Sequence, residues 1–336
     1  MSTVAEKLTA KDFASSAEVK WCPGCGDYSI LKQVQTVFPE FEIAREKTVF
    51  VSGIGCSSRF PYYMETYGIH SIHGRAFAVA SGVKAMNPEL SVWVVTGDGD
   101  ALSIGGNHFI HLMRRNFDLN VMLFNNQIYG LTKGQYSPTS EKGQITKSTP
   151  YGSLEDPFNP AELAIGARAT FVARTLDRDP KHMQAMIKRA QEHKGASFLE
   201  IYQNCPVFND GTFFAYSDRE TKKEHSLFLE HGKPLIFGEN DDKAIRLDGL
   251  KPVVVNLADG GHDDLWIHDE TDKTLAGLLA RFHDFAGMPR PFGVIYTEDR
   301  PTYEVEMSRQ LDRVEGQKGR LPLEKILSGE KTWEIH

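Results

Sequence analysis

Ser91-Val92-Trp93-Val94-Val95-Thr96-Gly97-Asp98-Gly99-Asp100-Ala101 is the stretch on which the fold turns. A run of β-branched and aromatic residues ends in alternating glycine and aspartate, and a helical pattern opens near Ala101. The run is apolar without alternation, as in a strand buried on both faces. Glycine permits close backbone approach, a helix start offers unpaired N–H groups, and a carboxylate at the strand end can hold a divalent cation. A diphosphate bound through a metal would use that arrangement. A tight turn is the other reading of Gly-Asp-Gly, a composition common in turns. The dinucleotide fingerprint Gly-x-Gly-x-x-Gly fails, because its third glycine would have to stand where the chain has Leu102.

Downstream, Asn120 to Asn125 reads as a second strand that opens into Asn126-Gln127-Ile128-Tyr129-Gly130. Two adjacent parallel strands bring Asp98 and Asn126 to one edge of a sheet, and Mg²⁺ takes oxygen ligands completed by phosphate and water. Thr48 to Ile54, Thr170 to Arg174 and Ser197 to Tyr202 read as further buried strands. Leu102, Phe109, Ile110 and Met113 share one face at helical spacing, and so do Met183, Met186, Ile187 and Ala190. The second of these helices opens with Asp179 as N-cap and Pro180 in the first position. The alternation predicts an α/β fold, a doubly wound and mostly parallel sheet covered on both faces, with its site at the carboxyl ends of the strands. After Cys205 the pattern weakens. Residues 206–250 read as a surface excursion, while Pro252 to Leu257 and an amphipathic stretch from Leu275 to Phe285 predict a small C-terminal subdomain. The expected division is a cofactor-binding domain over residues 1–215 and a C-terminal extension over 216–336 that packs on a partner subunit.

Composition narrows the classes. The chain has 336 residues, 40% hydrophobic and 25% charged, which excludes a disordered or collagen-like protein. Lys and Arg number 38 against 45 Asp and Glu, a net charge of −7 that argues against nucleic acid or an anionic membrane as main partner. No apolar run approaches the roughly 18 residues of a membrane span. The opening Met1-Ser2-Thr3-Val4-Ala5-Glu6-Lys7 shows no secretory signal, so a cytoplasmic place is expected.

The 4 cysteines are Cys22, Cys25, Cys56 and Cys205. Trp21-Cys22-Pro23-Gly24-Cys25-Gly26 is a knuckle whose glycines let the backbone fold around a metal. Cys56 and Cys205 each lie just past a strand. Such a set can bind zinc or an iron–sulfur cluster, and one Cys-x-x-Cys pair with two distant singles suits a cluster better than structural zinc.

These signatures occur in a particular order: the Trp-Cys-Pro-Gly-Cys-Gly knuckle, Gly53-Ile54-Gly55-Cys56-Ser57, His73-Gly74-Arg75-Ala76, Gly-Asp-Gly-Asp, Asn-Asn-Gln-Ile-Tyr-Gly-Leu-Thr and Asn204-Cys205-Pro206. Over roughly residues 15 to 215 the chain thereby resembles the β subunit of 2-oxoacid:ferredoxin oxidoreductases, a family with the thiamine diphosphate-binding fold. The resemblance implies that Asp98, Asn126 and the Ile128 carbonyl hold Mg²⁺, with Gly99, Asp100, Gly130 and Leu131 beside the diphosphate. It implies that Ile54, Gly55, Cys56, Ser57 and His73 line the cofactor, and that Cys22, Cys25, Cys56 and Cys205 hold a [4Fe–4S] cluster. Lys133-Gly134-Gln135 leading into Ser137-Pro138-Thr139 resembles the 2-oxoglutarate branch.

The implied reaction is CoA-dependent oxidative decarboxylation of 2-oxoglutarate, or the reverse carboxylation of succinyl-CoA, with electrons passing through the cluster to ferredoxin. The family's activating glutamate and much of its CoA site would come from an α subunit in an (αβ)₂ assembly, so no catalytic side chain is assigned here. Arg59, three residues past Cys56, is a candidate for the distal carboxylate of a dicarboxylic substrate, beside the reading of an ordinary surface arginine. His108 and His111 read as helix surface or packing, and Gly261-His262-Asp263-Asp264 as a solvated loop. Open beside this reading are the same chemistry on pyruvate or another 2-oxoacid, a zinc-stabilised thiamine enzyme component without a cluster, and a non-catalytic scaffold subunit.

Overall fold

The computed structural model describes residues 8–260, 264–329 and 333. Its strands in chain order are β1 (Thr48–Ser52), β2 (Tyr67–His70), β3 (Ser91–Gly97), β4 (Leu119–Asn125), β5 (Phe171–Leu176) and β6 (Ala196–Tyr202). The C-terminal third adds β7 (Ser226–Phe228), β8 (Ile236–Phe237), β9 (Lys243–Asp248), β10 (Lys251–Asn256) and β11 (Arg290–Thr297). Eight of the strands form one sheet in the order β2-β1-β3-β4-β6-β5-β11-β7. Every pairing in it is parallel except β5 with β11. The expected α/β, mostly parallel architecture is therefore present.

Alternate side chains on each strand enter different cores, which is why the strand sequences are apolar without period. On β3, Val92 and Val94 pack with the helices Ala76–Met86 and Gly106–Arg115, while Trp93 and Val95 pack with the helices Asp27–Val37 and Pro180–Glu192. On β4, Val121 and Leu123 face the first core and Met122 and Phe124 the second. Met183, Met186, Ile187 and Ala190 are all buried, and Asp179 caps their helix by accepting from the His182 N–H at 3.2 Å. A helix on each side of strands β1, β3 and β4 is the doubly wound arrangement, with the chain order reversing between β1 and β3.

Three local expectations need correction. Leu102 ends a separate short helix, Asp98–Leu102, and the next helix starts at Gly106; within it Phe109, Leu112 and Met113 are buried, whereas Ile110 is exposed. The break follows from a tight turn, since a Cβ on Gly105 would stand 2.4 Å from the Asp100 carbonyl oxygen. Residues 206–250 are not a plain surface excursion. Isolated apolar residues in this polar stretch, Leu227, Leu229, Leu235, Phe237 and Ile245 among them, join the core, and Phe213 stacks on Tyr202 with ring centroids 4.0 Å apart. Nor does residue 215 mark a break in the main sheet. β7 and β11 extend it, and only β8, β9 and β10 form a sheet of their own. β11 carries Phe292, Val294 and Ile295, an apolar run the sequence reading left unassigned.

Two part-buried histidines, one in helix Pro180–Glu192 and one directly after it, contact β5 and the residue before it. The rings of His182 and His193 lie 2.8 Å from the hydroxyls of Thr175 and Thr170. Burial pushes both imidazoles down to about 4. The unfolded chain then takes up protons near the ordinary histidine value of 6.5 while the folded chain does not, so their contribution to stability is lost as pH falls from about 6.5 to about 4. Replacing both by glutamine should lessen the drop in Tm between about pH 7 and about pH 5. An identical drop in both proteins, measured by calorimetry, removes these histidines from the account.

Candidate functional site

Strands β1, β3, β4 and β6 are consecutive neighbours and end at one edge, so the loops that follow them stand side by side. They deliver Ile54 to Ser57, Asp98 to Asp100, Asn126 to Leu131, and Gln203 to Cys205. Between them lies a cleft of about 500 Å³ lined by Ile54, Gly55, Cys56, Ser57, His73, Asp98, Gly99, Asp100, Asn126, Ile128, Gly130 and Leu131. Every residue expected around the diphosphate and its metal thus faces one space.

Asp98 is buried at the start of the short helix after β3. Its Oδ2 accepts from the hydroxyls of Ser137 and Thr139, the latter at 2.6 Å. Burial still pushes the carboxyl up to about 6, those hydroxyls notwithstanding. A buried carboxylate in that state fits a divalent cation, which would supply the missing positive charge beside an anionic ligand. Asn126 is held for the same space. Its Oδ1 accepts from the Ile128 N–H at 3.1 Å and its Nδ2 donates to Gln203 Oε1 at 2.8 Å. Gly99 is required by a close approach, because a Cβ there would stand 2.1 Å from the Tyr129 ring.

Asp100 does something other than touch the diphosphate edge alone. Its Oδ1 accepts from the N–H groups of Ile54 at 3.0 Å and Gly74 at 2.7 Å and lies 2.5 Å from His73 Nδ1; its Oδ2 accepts from Thr96 at 2.8 Å. One buried carboxylate therefore ties the loop after β1 and the loop after β2 to the end of β3. A Cβ on Gly53 would collide with it at 2.0 Å.

The cysteines adjoin this cleft. All four are free, Cys22 exposed and Cys205 buried. Trp21 Nε1 donates to the Cys56 carbonyl at 2.7 Å, and Gly26 N–H donates to the Asn204 carbonyl at 3.1 Å, which draws the knuckle to the loops after β1 and β6. A Cβ on Gly130 would stand 3.6 Å from the sulfurs of both Cys56 and Cys205. Burial and then Asp27 raise the Cys25 thiol, with Cys56 and Cys205 adding; Cys56 is pushed up to about 12 by burial, Asp27, Cys205 and Cys22. The sulfurs are electrostatic neighbours. Among the described residues no three His, Cys, Asp or Glu side chains close around a single ion.

Arg59 opens onto a second cleft of about 550 Å³ that shares Ile54, Gly55 and Leu131 with the first and also holds Lys20, Tyr62 and His70. His108 and His111 lie on helix Gly106–Arg115, away from the residues lining either cleft. Gly261 to Asp263 fall outside the described residues. The sequence reading missed Gln203, Tyr129 and the roles of Ser137 and Thr139. Ser137 and Thr139 stood in the quoted Ser-Pro-Thr, where two hydroxyls at spacing two were the available signal.

The class follows from the cleft and its partners: residues 53–201 match the family described as thiamine pyrophosphate enzyme, C-terminal TPP binding domain. The chain is 49% identical to the 2-oxoglutarate oxidoreductase subunit KorB of Mycobacterium tuberculosis, over 99% of this chain and 90% of that one. It is 45% identical to the 2-oxoacid:ferredoxin oxidoreductase subunit beta of Saccharolobus solfataricus, over 85% of this chain and 94% of the relative. A solved structure of 2-oxoglutarate:ferredoxin oxidoreductase from Magnetococcus marinus, with 2-oxoglutarate, coenzyme A and succinyl-CoA bound, superposes with a TM-score of 0.78 at 34% identity, covering 97% of both chains. This chain belongs to the β subunits of the 2-oxoacid:ferredoxin oxidoreductases. Among the described residues no helix is long and apolar enough to cross a membrane.

The Asp100 clasp makes a prediction. Asp100→Ala leaves the Ile54 and Gly74 N–H groups without their acceptor, at about 1–3 kcal/mol for each buried group left unpaired. Hydrogen exchange should then quicken at residues 53–57 and 72–76 while β4 stays protected. Asp100→Asn, which keeps one oxygen for those donors, should retain most of the protection, and unchanged exchange in the alanine variant would remove the clasp.

Proposed function

We propose that this chain is the cofactor-carrying β subunit of an enzyme that oxidatively decarboxylates 2-oxoglutarate in a CoA-dependent reaction, or carboxylates succinyl-CoA in reverse, with ferredoxin as electron carrier. The observation that carries the reading is the convergence of Asp98, Asn126, Gly130 and Cys56 on one cleft, with the Cys56 and Cys205 sulfurs both close to Gly130. Thiamine diphosphate supplies the electron sink for decarboxylation, and a [4Fe–4S] cluster takes electrons one at a time.

The chain's own residues bind and orient. Asp98, the Asn126 side chain and the Ile128 carbonyl hold Mg²⁺, with Ser137 and Thr139 fixing the Asp98 carboxylate by their hydroxyls. Gly99, Gly130 and Leu131 border the diphosphate. Ile54, Gly55, Ser57 and His73 line the cofactor, and Asp100 holds their two loops in register. Cys22, Cys25, Cys56 and Cys205 take the cluster, one Cys-x-x-Cys pair and two single cysteines brought to the same loops. Four free cysteines fit a reducing compartment, the cytoplasm.

Arg59 faces the cleft that continues from the cofactor site and is the residue we assign to the distal carboxylate of 2-oxoglutarate. An α subunit completes the site with the glutamate that activates the cofactor and with most of the CoA contacts, as an (αβ)₂ assembly. The β-subunit names of the relatives support such a partner.

The test is substrate-dependent ferredoxin reduction by the complex purified with its α subunit. Turnover with 2-oxoglutarate and CoA, by a brown protein with acid-labile sulfide, is expected; the isolated chain should show none. A colourless protein without sulfide, or full turnover by the isolated chain, overturns the cluster or the partner respectively. Arg59→Ala should raise KM for 2-oxoglutarate by about tenfold, the loss of one charge-assisted contact, with little change for pyruvate. Equal effects on both substrates remove the assignment.

A further inference from the structure

Gln203 follows β6 directly, and its side chain is almost wholly buried. Its backbone N–H donates to the Asn125 carbonyl at 2.9 Å, which carries the β4–β6 pairing one step past Asn125 and Tyr202 and plants the side chain between the two loops. From there the amide reaches both ways. Oε1 accepts from Asn126 Nδ2 at 2.8 Å, and Nε2 donates to Cys25 Sγ at 3.2 Å and to the Asn204 carbonyl.

Chemistry fixes which end is which. The Asn204 carbonyl can only accept, so the nitrogen must face it and the oxygen must face Asn126. Both N–H bonds of the nitrogen are then used, one on oxygen and one on sulfur. Gly26 leaves the room, since a Cβ there would stand 3.0 Å from Gln203 Cγ. A single side chain thus joins a proposed ligand of the cation to a proposed ligand of the cluster through two hydrogen bonds.

We propose that Gln203 is a positioning residue shared by the two centres, which holds the Asn126 amide with its oxygen toward the cation and raises the reduction potential of the cluster through an N–H···S bond to Cys25. The inference rests on the assignment of Mg²⁺ and a [4Fe–4S] cluster made above. A reduced cluster carries one more negative charge, so a donor aimed at a ligating sulfur favours the reduced state, and hydrogen bonds to the sulfurs are among the factors that set cluster potentials. Groups that orient a metal's ligands set its affinity as well.

The experiment uses the complex purified with its α subunit. The cluster is titrated with a reductant and followed by electron paramagnetic resonance, and Mg²⁺ is titrated in the presence of thiamine diphosphate with tryptophan fluorescence as readout. Gln203→Met, of similar shape but unable to donate or accept these bonds, should lower the cluster potential and raise the Mg²⁺ half-saturation about tenfold. Gln203→Glu keeps an acceptor for Asn126 while losing the neutral N–H donor and adding a negative charge, so it should lower the potential without raising the Mg²⁺ half-saturation. If the wild-type complex shows no cluster signal, the cluster assignment fails and this inference falls with it. If the cluster signal is intact in either variant and the potential equals that of the wild type, Gln203 does not tune the cluster. If Gln203→Met leaves Mg²⁺ binding unaltered, it does not position Asn126.

Discussion

The site depends on four strands running the same way as neighbours. Parallel pairing obliges the chain to cross over between strands, and each crossover helix returns it to start the next strand from the same end. The carboxyl ends of β1, β3, β4 and β6 consequently line up along one edge, spaced by about 4.8 Å per step, or roughly 14 Å from first to last. Residues distant in sequence meet because of that geometry. Asp98 and Asn126 come directly after the last paired residue of their strands, and Cys205 and Cys56 three and four residues after theirs.

Among the buried acidic side chains near this edge, Asp100, Glu200 and Asp98 are treated differently by the fold. Asp100 is satisfied by the protein, with donors from the loops after β1 and β2 and from Thr96. Glu200 is paired with Arg174 at 2.7 Å and accepts from Asn125 at 2.8 Å, both acid and base being inaccessible to water. Such a pair gives little net stability against an apolar pair of the same volume, but losing one member leaves a bare buried charge. Here it also steadies Asn125, whose Oδ1 lies 2.9 Å from the Thr139 hydroxyl that reaches Asp98. Asp98 accepts from the hydroxyls of Ser137 and Thr139, and burial raises it, as it raises Asp27 and Asp177.

Much of this was legible in the chain itself because it depends on residue types with few substitutes. Glycine beside aspartate after an apolar run marked the β3 edge, Asn126 marked the β4 edge, and the knuckle with two further cysteines marked the proposed cluster site. The strands of the central sheet were readable from β-branched and aromatic runs bounded by turn residues. What escaped were side chains whose importance is relational. Gln203 is one amide among many until its neighbours are known, and Ser137 and Thr139 are ordinary loop hydroxyls until Asp98 is seen to accept from them. β11 escaped because its apolar run lies far from the other strands in sequence, after a stretch dominated by charge. Its antiparallel pairing with β5 depends on a long return of the chain that no local pattern encodes.

That return bears on how the polypeptide is made. β5 pairs with β6 on one side and β11 on the other, so on a nascent chain that has reached Tyr202 its outer row of N–H and C=O groups is bare. About ninety further residues must leave the ribosome before Arg290–Thr297 can cover it. During that interval the half-made sheet offers a template to any extended peptide nearby. The C-terminal third, which holds none of the four cysteines, is then the part that covers the outer edge of β5.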